Sequence, residues 1–266
     1  MFYQLKSGQK LYYELLGNFD SRETIVFLNG LSQSTLSWSL MTPFFKPNYK
    51  ILLLDFIFQG QSEKSGNFKS FDEHADDLKQ LLEMLHLEKV YLVGISYGSL
   101  VAQHFTVNYP EKVKKLVLMA TFGHKTPYFE AIENSWWRAL ETGGYPLLLD
   151  VMLPSVLSEN YFLNPIIPIE FIKQSRKEVN EDPTALFKLM KATKERNDFR
   201  DKLKEIKNPT LLLHGEKDLL IPEHLAQSVH QCISNSVFIS FPNKGHTLNL
   251  EATSESKDAI IKFFND

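Results

Sequence analysis

Val90-Tyr91-Leu92-Val93-Gly94-Ile95-Ser96-Tyr97-Gly98 decides how this chain is read. The four residues before Gly94 form an unbroken apolar run, the composition of a strand buried on both faces. Gly94 to Gly98 then matches G-x-S-x-G, and a helix-like run from about Ser99 to Tyr109 stops before Pro110. Alone the pattern is weak, since a plain Gly/Ser turn would also carry it. Between a buried strand and a helix it marks a sharp turn that lifts a serine clear of the backbone. The turn is strained and the neighbouring backbones pack too closely for a Cβ, hence the flanking glycines. The N-terminus of the following helix places partial positive charge beside a developing oxyanion.

The same grammar extends outward. Gln9 to Leu16 is β-prone, and Thr24 to Leu28, Ile51 to Leu54 and Lys115 to Ala120 read as further strands, as do Pro209 to Leu213 and Val237 to Phe241. Ser70-Phe71-Asp72-Glu73 reads as a capping box, followed by an apolar stripe at Leu78, Leu81, Leu82 and Leu85. A last helix spans roughly Thr253 to Phe264. From about His124 to Ile206 the strand signals vanish; the segment looks helical and is broken at Gly143-Gly144, Pro146, Pro154, Pro165, Pro168 and Pro183. The expectation is an α/β core over residues 1–123 and 207–266 with a helical insertion over 124–206.

A serine hydroxyl needs a base, and an imidazole base needs an acid to fix its tautomer. His214-Gly215-Glu216-Lys217-Asp218 follows a buried strand and ends in an acid, with Glu216 as a competitor. Asn243-Lys244-Gly245-His246 follows the last strand. The order Ser96, Asp218, His246 is the one α/β-hydrolases use.

On these motifs the chain resembles the α/β-hydrolase superfamily, of the lidded esterase, lactonase and C–C-hydrolase type, over nearly its whole length. The resemblance implies a mostly parallel central sheet flanked by helices, with a helical lid between the sixth and seventh strands. It implies Ser96 as nucleophile, His246 as general base then acid, and Asp218 rather than Glu216 as the orienting acid. The oxyanion donors are then the N–H groups of Tyr97 and, from the loop after Leu28, of Leu31. That loop reads Asn29-Gly30-Leu31 where relatives usually have His-Gly-x, a change that touches the bracing of the loop. A second departure is Asp55-Phe56-Ile57-Phe58-Gln59-Gly60-Gln61-Ser62: relatives usually show D-x-x-G-x-G-x-S, and Phe58 stands for the first glycine. The Tyr97 ring is read either as pocket lining or as packed under the lid. Phe122, Trp136, Trp137 and Met152, with Phe129, Leu153 and Phe162, either line an apolar pocket or form the stripe that any lid must bury.

The remaining histidines read as structural: His74, His86, His224 and His230 at the surface, His104 packed rather than catalytic, His214 structural, and His124 either in a loop or facing the pocket. No HExxH spacing, cysteine cluster, dinucleotide fingerprint or Walker loop is present, so neither metal nor organic cofactor is implied. The 266 residues carry 29 basic and 32 acidic side chains, a net charge of −3, with 43% hydrophobic and 23% charged residues. That balance excludes a disordered chain and offers no nucleic-acid surface. No apolar run approaches the ~20 residues of a membrane span, the single Cys232 permits no internal disulfide, and no signal peptide is visible. The expectation is a cytoplasmic monomer or homodimer that cleaves a small or medium, largely apolar ester, thioester or lactone. A C–C hydrolase or acyltransferase with the same triad, and a hydrolase-fold receptor or scaffold, are the alternatives.

Overall fold

Every run read above as a strand becomes a strand of one eight-stranded sheet in the computed structural model, which describes residues 1–179 and 182–266. The chain begins with β1 (Phe2–Gln4), β2 (Lys10–Gly17) and β3 (Thr24–Leu28), then α1 (Thr42–Phe45), β4 (Lys50–Leu54) and α2 (Phe71–Met84). β5 (Val90–Ile95), α3 (Tyr97–Asn108) and β6 (Val113–Met119) follow. Five helices come next: α4 (Pro127–Val156), α5 (Glu159–Leu163), α6 (Ile169–Val179), α7 (Pro183–Glu195) and α8 (Arg200–Leu203). The chain closes with β7 (Thr210–Gly215), α9 (Glu223–Cys232), β8 (Ser236–Phe241), α10 (Leu248–Glu251) and α11 (Thr253–Asn265).

The strand order is β1-β2-β4-β3-β5-β6-β7-β8. β1 and β2 pair antiparallel, as do β2 and β4; from β4 onward all neighbours are parallel. Helices cover both faces, which is why the central strands lack polar alternation. Val26, Leu28, Leu52, Leu92 and Leu118 face α2, α3 and α9, whereas Ile25, Phe27, Ile51, Val93 and Met119 face Trp38, α1 and α11. α2 starts as its capping box requires: Ser70 Oγ accepts from Glu73 N–H, and Glu73 Oε2 accepts from Ser70 N–H at 2.8 Å.

Two sequence expectations need correction. His74 is not a surface residue: it is 1% exposed and packs against Phe56 and Tyr97. It lies four residues before Leu78 on the same stripe of α2, and burial pushes its imidazole down to about 3, so it is neutral. Pro154 does not break the 124–206 segment; it lies inside α4, whose interruption is at Gly144 (φ 63°, ψ −162°). His86 and His224 are exposed, and His230 is half-buried against Ser236.

The parallel strands end on one side of the sheet, and the loops leaving β3, β5, β7 and β8 gather there. β5 turns into α3 at Ser96, whose φ of 51° and ψ of −118° are strained for a residue with a Cβ. A Cβ on Gly94 would stand 2.4 Å from Gly98 O, and one on Gly98 2.3 Å from Leu28 O. Gly98→Ala therefore pushes α3 off β3. The expected cost is ~3 kcal/mol or more, read in thermal denaturation as a fall in Tm of ~6 °C or more.

Candidate active site

Asp218 and His246 sit on the loops after β7 and β8, each 5% exposed. Asp218 Oδ1 accepts from Leu220 N–H at 2.9 Å and Ile221 N–H at 2.8 Å. Its other oxygen, Oδ2, lies 2.7 Å from His246 Nδ1. A carboxylate held by two backbone donors leaves one oxygen for the ring, so the proton sits on Nδ1 and the Nε2 lone pair is free. Nε2 is buried and has no hydrogen-bond partner. His246 and Ser96 line the same cavity, together with Leu31 and Tyr97. Glu216 lies elsewhere, accepting from Asn243 N–H.

The Asn29-Gly30-Leu31 loop is braced by residues from both sequence departures. Asn29 Nδ2 donates to Leu54 O at 2.8 Å and Asp55 Oδ1 at 3.1 Å, and its Oδ1 accepts from Trp38 Nε1 at 2.9 Å. Gln59 Nε2 donates to Gly30 O at 2.8 Å and Leu31 O at 3.0 Å. Gly30 O and Leu31 N–H belong to one planar trans peptide, so fixing the carbonyl points the N–H the opposite way. Asp55, fully buried, also accepts from Thr35 N–H and Gln61 N–H, each at 2.8 Å. Burial is the largest influence on its carboxyl and raises its pKa, against these donors.

The pocket expectations divide. Phe122, Phe129, Trp136 and Met152 line the cavity, and Trp137 does not. Trp137 is half-buried on Phe187, with Lys194 Nζ 5.0 Å from its ring centre. On one helix, adjacent residues stand about 100° apart, so α4 turns Phe129, Glu133 and Trp136 inward and Trp137 away. Leu153 is buried outside the lining and Phe162 is 42% exposed. The Tyr97 ring packs on Phe56, Phe71 and His74, toward α2 rather than under α4.

Sequence reading missed Glu133, Arg176, Met190 and Thr193 in the lining. The i, i+4, i+7 spacing of 129, 133 and 136 carried the signal for Glu133. Burial raises the Glu133 carboxyl from 4.5 to about 7. Missed too were two clamps between the helical segment and the core. Glu251, 5% exposed, accepts from Ser158 N–H at 3.2 Å, Ser158 Oγ at 2.5 Å and Gly245 N–H at 3.1 Å. Thus the end of α4 is tied to the residue before His246. Arg196, after α7, donates from Nη2 to Gln103 Oε1 at 2.6 Å and from Nε to His104 Nε2 at 3.2 Å. Gln103 Nε2 donates to Thr121 Oγ1, which in turn lies 2.8 Å from Ser99 Oγ; Ser99 Oγ gives its one proton to Ser96 O at 2.6 Å. His104 is packed as expected, stacked on Phe199.

Among the described residues, no group of three or more His, Cys, Asp or Glu is placed to hold a metal ion, and no helix is long and apolar enough to cross a membrane.

Comparison with known proteins supports an enzyme of hydrolase type. The profile of a family described as alpha/beta hydrolase fold matches residues 23–142. An uncharacterized hydrolase, YugF, of Bacillus subtilis (strain 168) is 27% identical, over 96% of this chain and 94% of its own. A 2-hydroxy-6-oxononadienedioate/2-hydroxy-6-oxononatrienedioate hydrolase of Escherichia coli O81 (strain ED1a) is 28% identical, over 91% and 86%. The crystal structure of MGS-M2, an alpha/beta hydrolase enzyme from a Medee basin deep-sea metagenome library, superposes with a TM-score of 0.91 at 28% identity, over 100% and 98%. The matching family profile, the relatives and the structural neighbours support the α/β-hydrolase superfamily for this chain.

Two outcomes follow from the buried acids. Glu251→Ala strips the acceptor from Ser158 and Gly245, an expected loss of ~2–4 kcal/mol. Thermal denaturation should show a fall well beyond that of Glu255→Ala, which breaks only an exposed ion pair. Glu133 titrates near 4.5 unfolded and about 7 folded. Below the lower value both states are protonated and ionisation imposes no penalty. Between the two values the unfolded chain ionises first, so stability falls as pH rises. Glu133→Gln does not titrate; its Tm should match wild type near pH 4 and exceed it above pH 7. The gap corresponds to at most ~3 kcal/mol.

Proposed function

We propose that this hydrolase is a serine hydrolase that works through an acyl-enzyme on Ser96, with a small or medium, largely apolar ester, thioester or lactone as substrate. One observation carries the reading. Asp218 Oδ2 holds His246 Nδ1 at 2.7 Å, while His246 Nε2 is left without a partner in the cavity that Ser96 lines.

The chemistry follows from that arrangement. Nε2 takes the proton of Ser96 Oγ as the oxygen attacks the carbonyl carbon, and Asp218 stabilises the imidazolium that forms. The N–H groups of Leu31 and Tyr97 receive the oxyanion, the latter at the start of α3, where the helix dipole adds positive potential. The imidazolium protonates the leaving group; His246 then activates water, which releases the acyl group. The segment 124–206 acts as the lid, its aromatic and thioether side chains excluding water from the reaction. Phe122, Phe129, Trp136 and Met152 make an apolar wall suited to an acyl chain or ring.

A second reading, hydrolysis of a C–C bond with the same three residues, is favoured by Arg176. It lines the cavity and supplies a cation for a carboxylate, and a dioate stands in the name of the Escherichia coli relative.

An active-site-directed fluorophosphonate should label wild type and leave Ser96→Ala unlabelled; equal labelling of both sinks the serine mechanism. Ser96→Ala, and likewise His246→Ala, should lower kcat by several orders of magnitude on p-nitrophenyl esters. A panel setting those esters against a 2-hydroxy-6-oxo dienoate decides between the two readings.

A further inference from the structure

The cavity wall holds one acid that ester hydrolysis leaves idle. Glu133 is 7% exposed and lies on the inward face of α4 between Phe129 and Trp136, each 5% exposed. Among the described residues no hydrogen bond or ion pair reaches its carboxyl. The lysines nearest to it in electrostatic effect, Lys125 and Lys194, are occupied elsewhere. Lys125 Nζ donates to Lys194 O, and Lys194 Nζ stands over the Trp137 ring. Glu130, one helical turn back, adds negative charge and is exposed.

A carboxyl taken from water without a partner costs free energy. Leucine at this position would continue the apolar wall at no such cost. The acid is therefore best explained by a partner that arrives with the ligand, since a buried polar group left unpaired is what makes a site reject the analogue lacking its counterpart. The sign of that partner follows from the surroundings. Lys125 and Lys194 already act on Glu133 with positive charge, and Arg176 lines the same cavity, which opposes a further cation. A hydroxyl or amide N–H satisfies either protonation state of the carboxyl without adding charge.

We propose that Glu133 is a specificity-determining residue that accepts a hydrogen bond from a neutral donor on the part of the substrate lying against α4. The preferred substrates are hydroxylated or amide-bearing esters, thioesters or lactones rather than plain alkyl ones. The proposal rests on the serine-hydrolase reading above and narrows it to a substrate class.

The test compares kcat/KM, by proton release, for ethyl esters of plain fatty acids with their hydroxylated counterparts. The hydroxyl is moved through carbons 3 to 6, with matched amide-bearing and ammonium-bearing esters alongside. In wild type, at least one hydroxylated or amide-bearing ester should exceed its plain parent by about tenfold or more, mainly through KM. Glu133→Leu should bring that ratio to one or below. Glu133→Gln, which keeps an acceptor oxygen, should fall between them and serves if the leucine variant does not fold. Ratios of one across the wild-type panel overturn the proposal, as does a preference that survives in Glu133→Leu or one confined to the ammonium esters. Fluorophosphonate labelling separates the two levels. A labelled wild type with flat ratios removes the role of Glu133 alone, whereas an unlabelled wild type that cleaves no ester removes the serine-hydrolase reading and this proposal with it.

Discussion

The site depends on one close approach, that of the first turn of α3 to the carbonyl end of β3. Gly98 lies so near Leu28 O that no Cβ fits between them, and Gly94 lies as near Gly98 O. This contact forces Ser96 into its left-handed conformation and sets the start of α3 against the Asn29-Gly30-Leu31 loop. It therefore bears on two things together: where Ser96 stands, and how the start of α3 and the Asn29-Gly30-Leu31 loop meet at the cavity they both line. β3 and β5 are neighbours in the parallel sheet, so the register of two buried strands is transmitted directly into the geometry of the site.

The remaining groups reach this floor through polar contacts made at long sequence separation. Ser158 and Glu251 are 93 residues apart in the chain, and so are Gln103 and Arg196. Each clamp uses a buried charged side chain with several partners, so breaking it strands more than one polar group. Together they fasten the helical segment at two points, the turn after α4 beside His246 and the turn after α7 beside α3. Burial lowers the Arg196 guanidinium to about 9. It still carries its charge at neutral pH, and it lies over the faces of Phe71, Phe122 and Phe199.

What the sequence disclosed and what it hid divide by range. The strands were legible because each is a local apolar run between turns, and the order Ser96, Asp218, His246 because each follows its own strand. The Phe129, Glu133 and Trp136 face was half legible: its helical phase is local, but which face meets the core is decided by packing, so Trp136 and Trp137 could not be separated. His74 was misread because its residue type outweighed its place on the Leu78 stripe. Arg196, Glu251 and Gln59 left no local signal, since their partners come from other elements. Glu133 is the intermediate case. Its spacing was visible, but an acid on an apolar stripe reads as an exception until the cavity beside it is seen.

Phe58 shows how a departure from the family pattern is accommodated. It has a φ of 80°, the region that explains why relatives usually carry glycine at this place. For a phenylalanine that conformation costs ~1–3 kcal/mol. Its ring is 1% exposed, and burying such a ring contributes ~1.5–3 kcal/mol, so the strain and the burial are of the same size. The balance is tipped by the helical segment. Lys188 of α7 donates to Lys64 O at 3.2 Å and places its ammonium 4.8 Å from the centre of the Phe58 ring. A glycine would relieve the backbone but remove the ring on which α7 rests. α7 carries Met190 and Thr193 to the cavity. The substitution thus exchanges local backbone ease for a fixed position of that cavity wall, and it does so one residue before Gln59, which orients the Leu31 N–H.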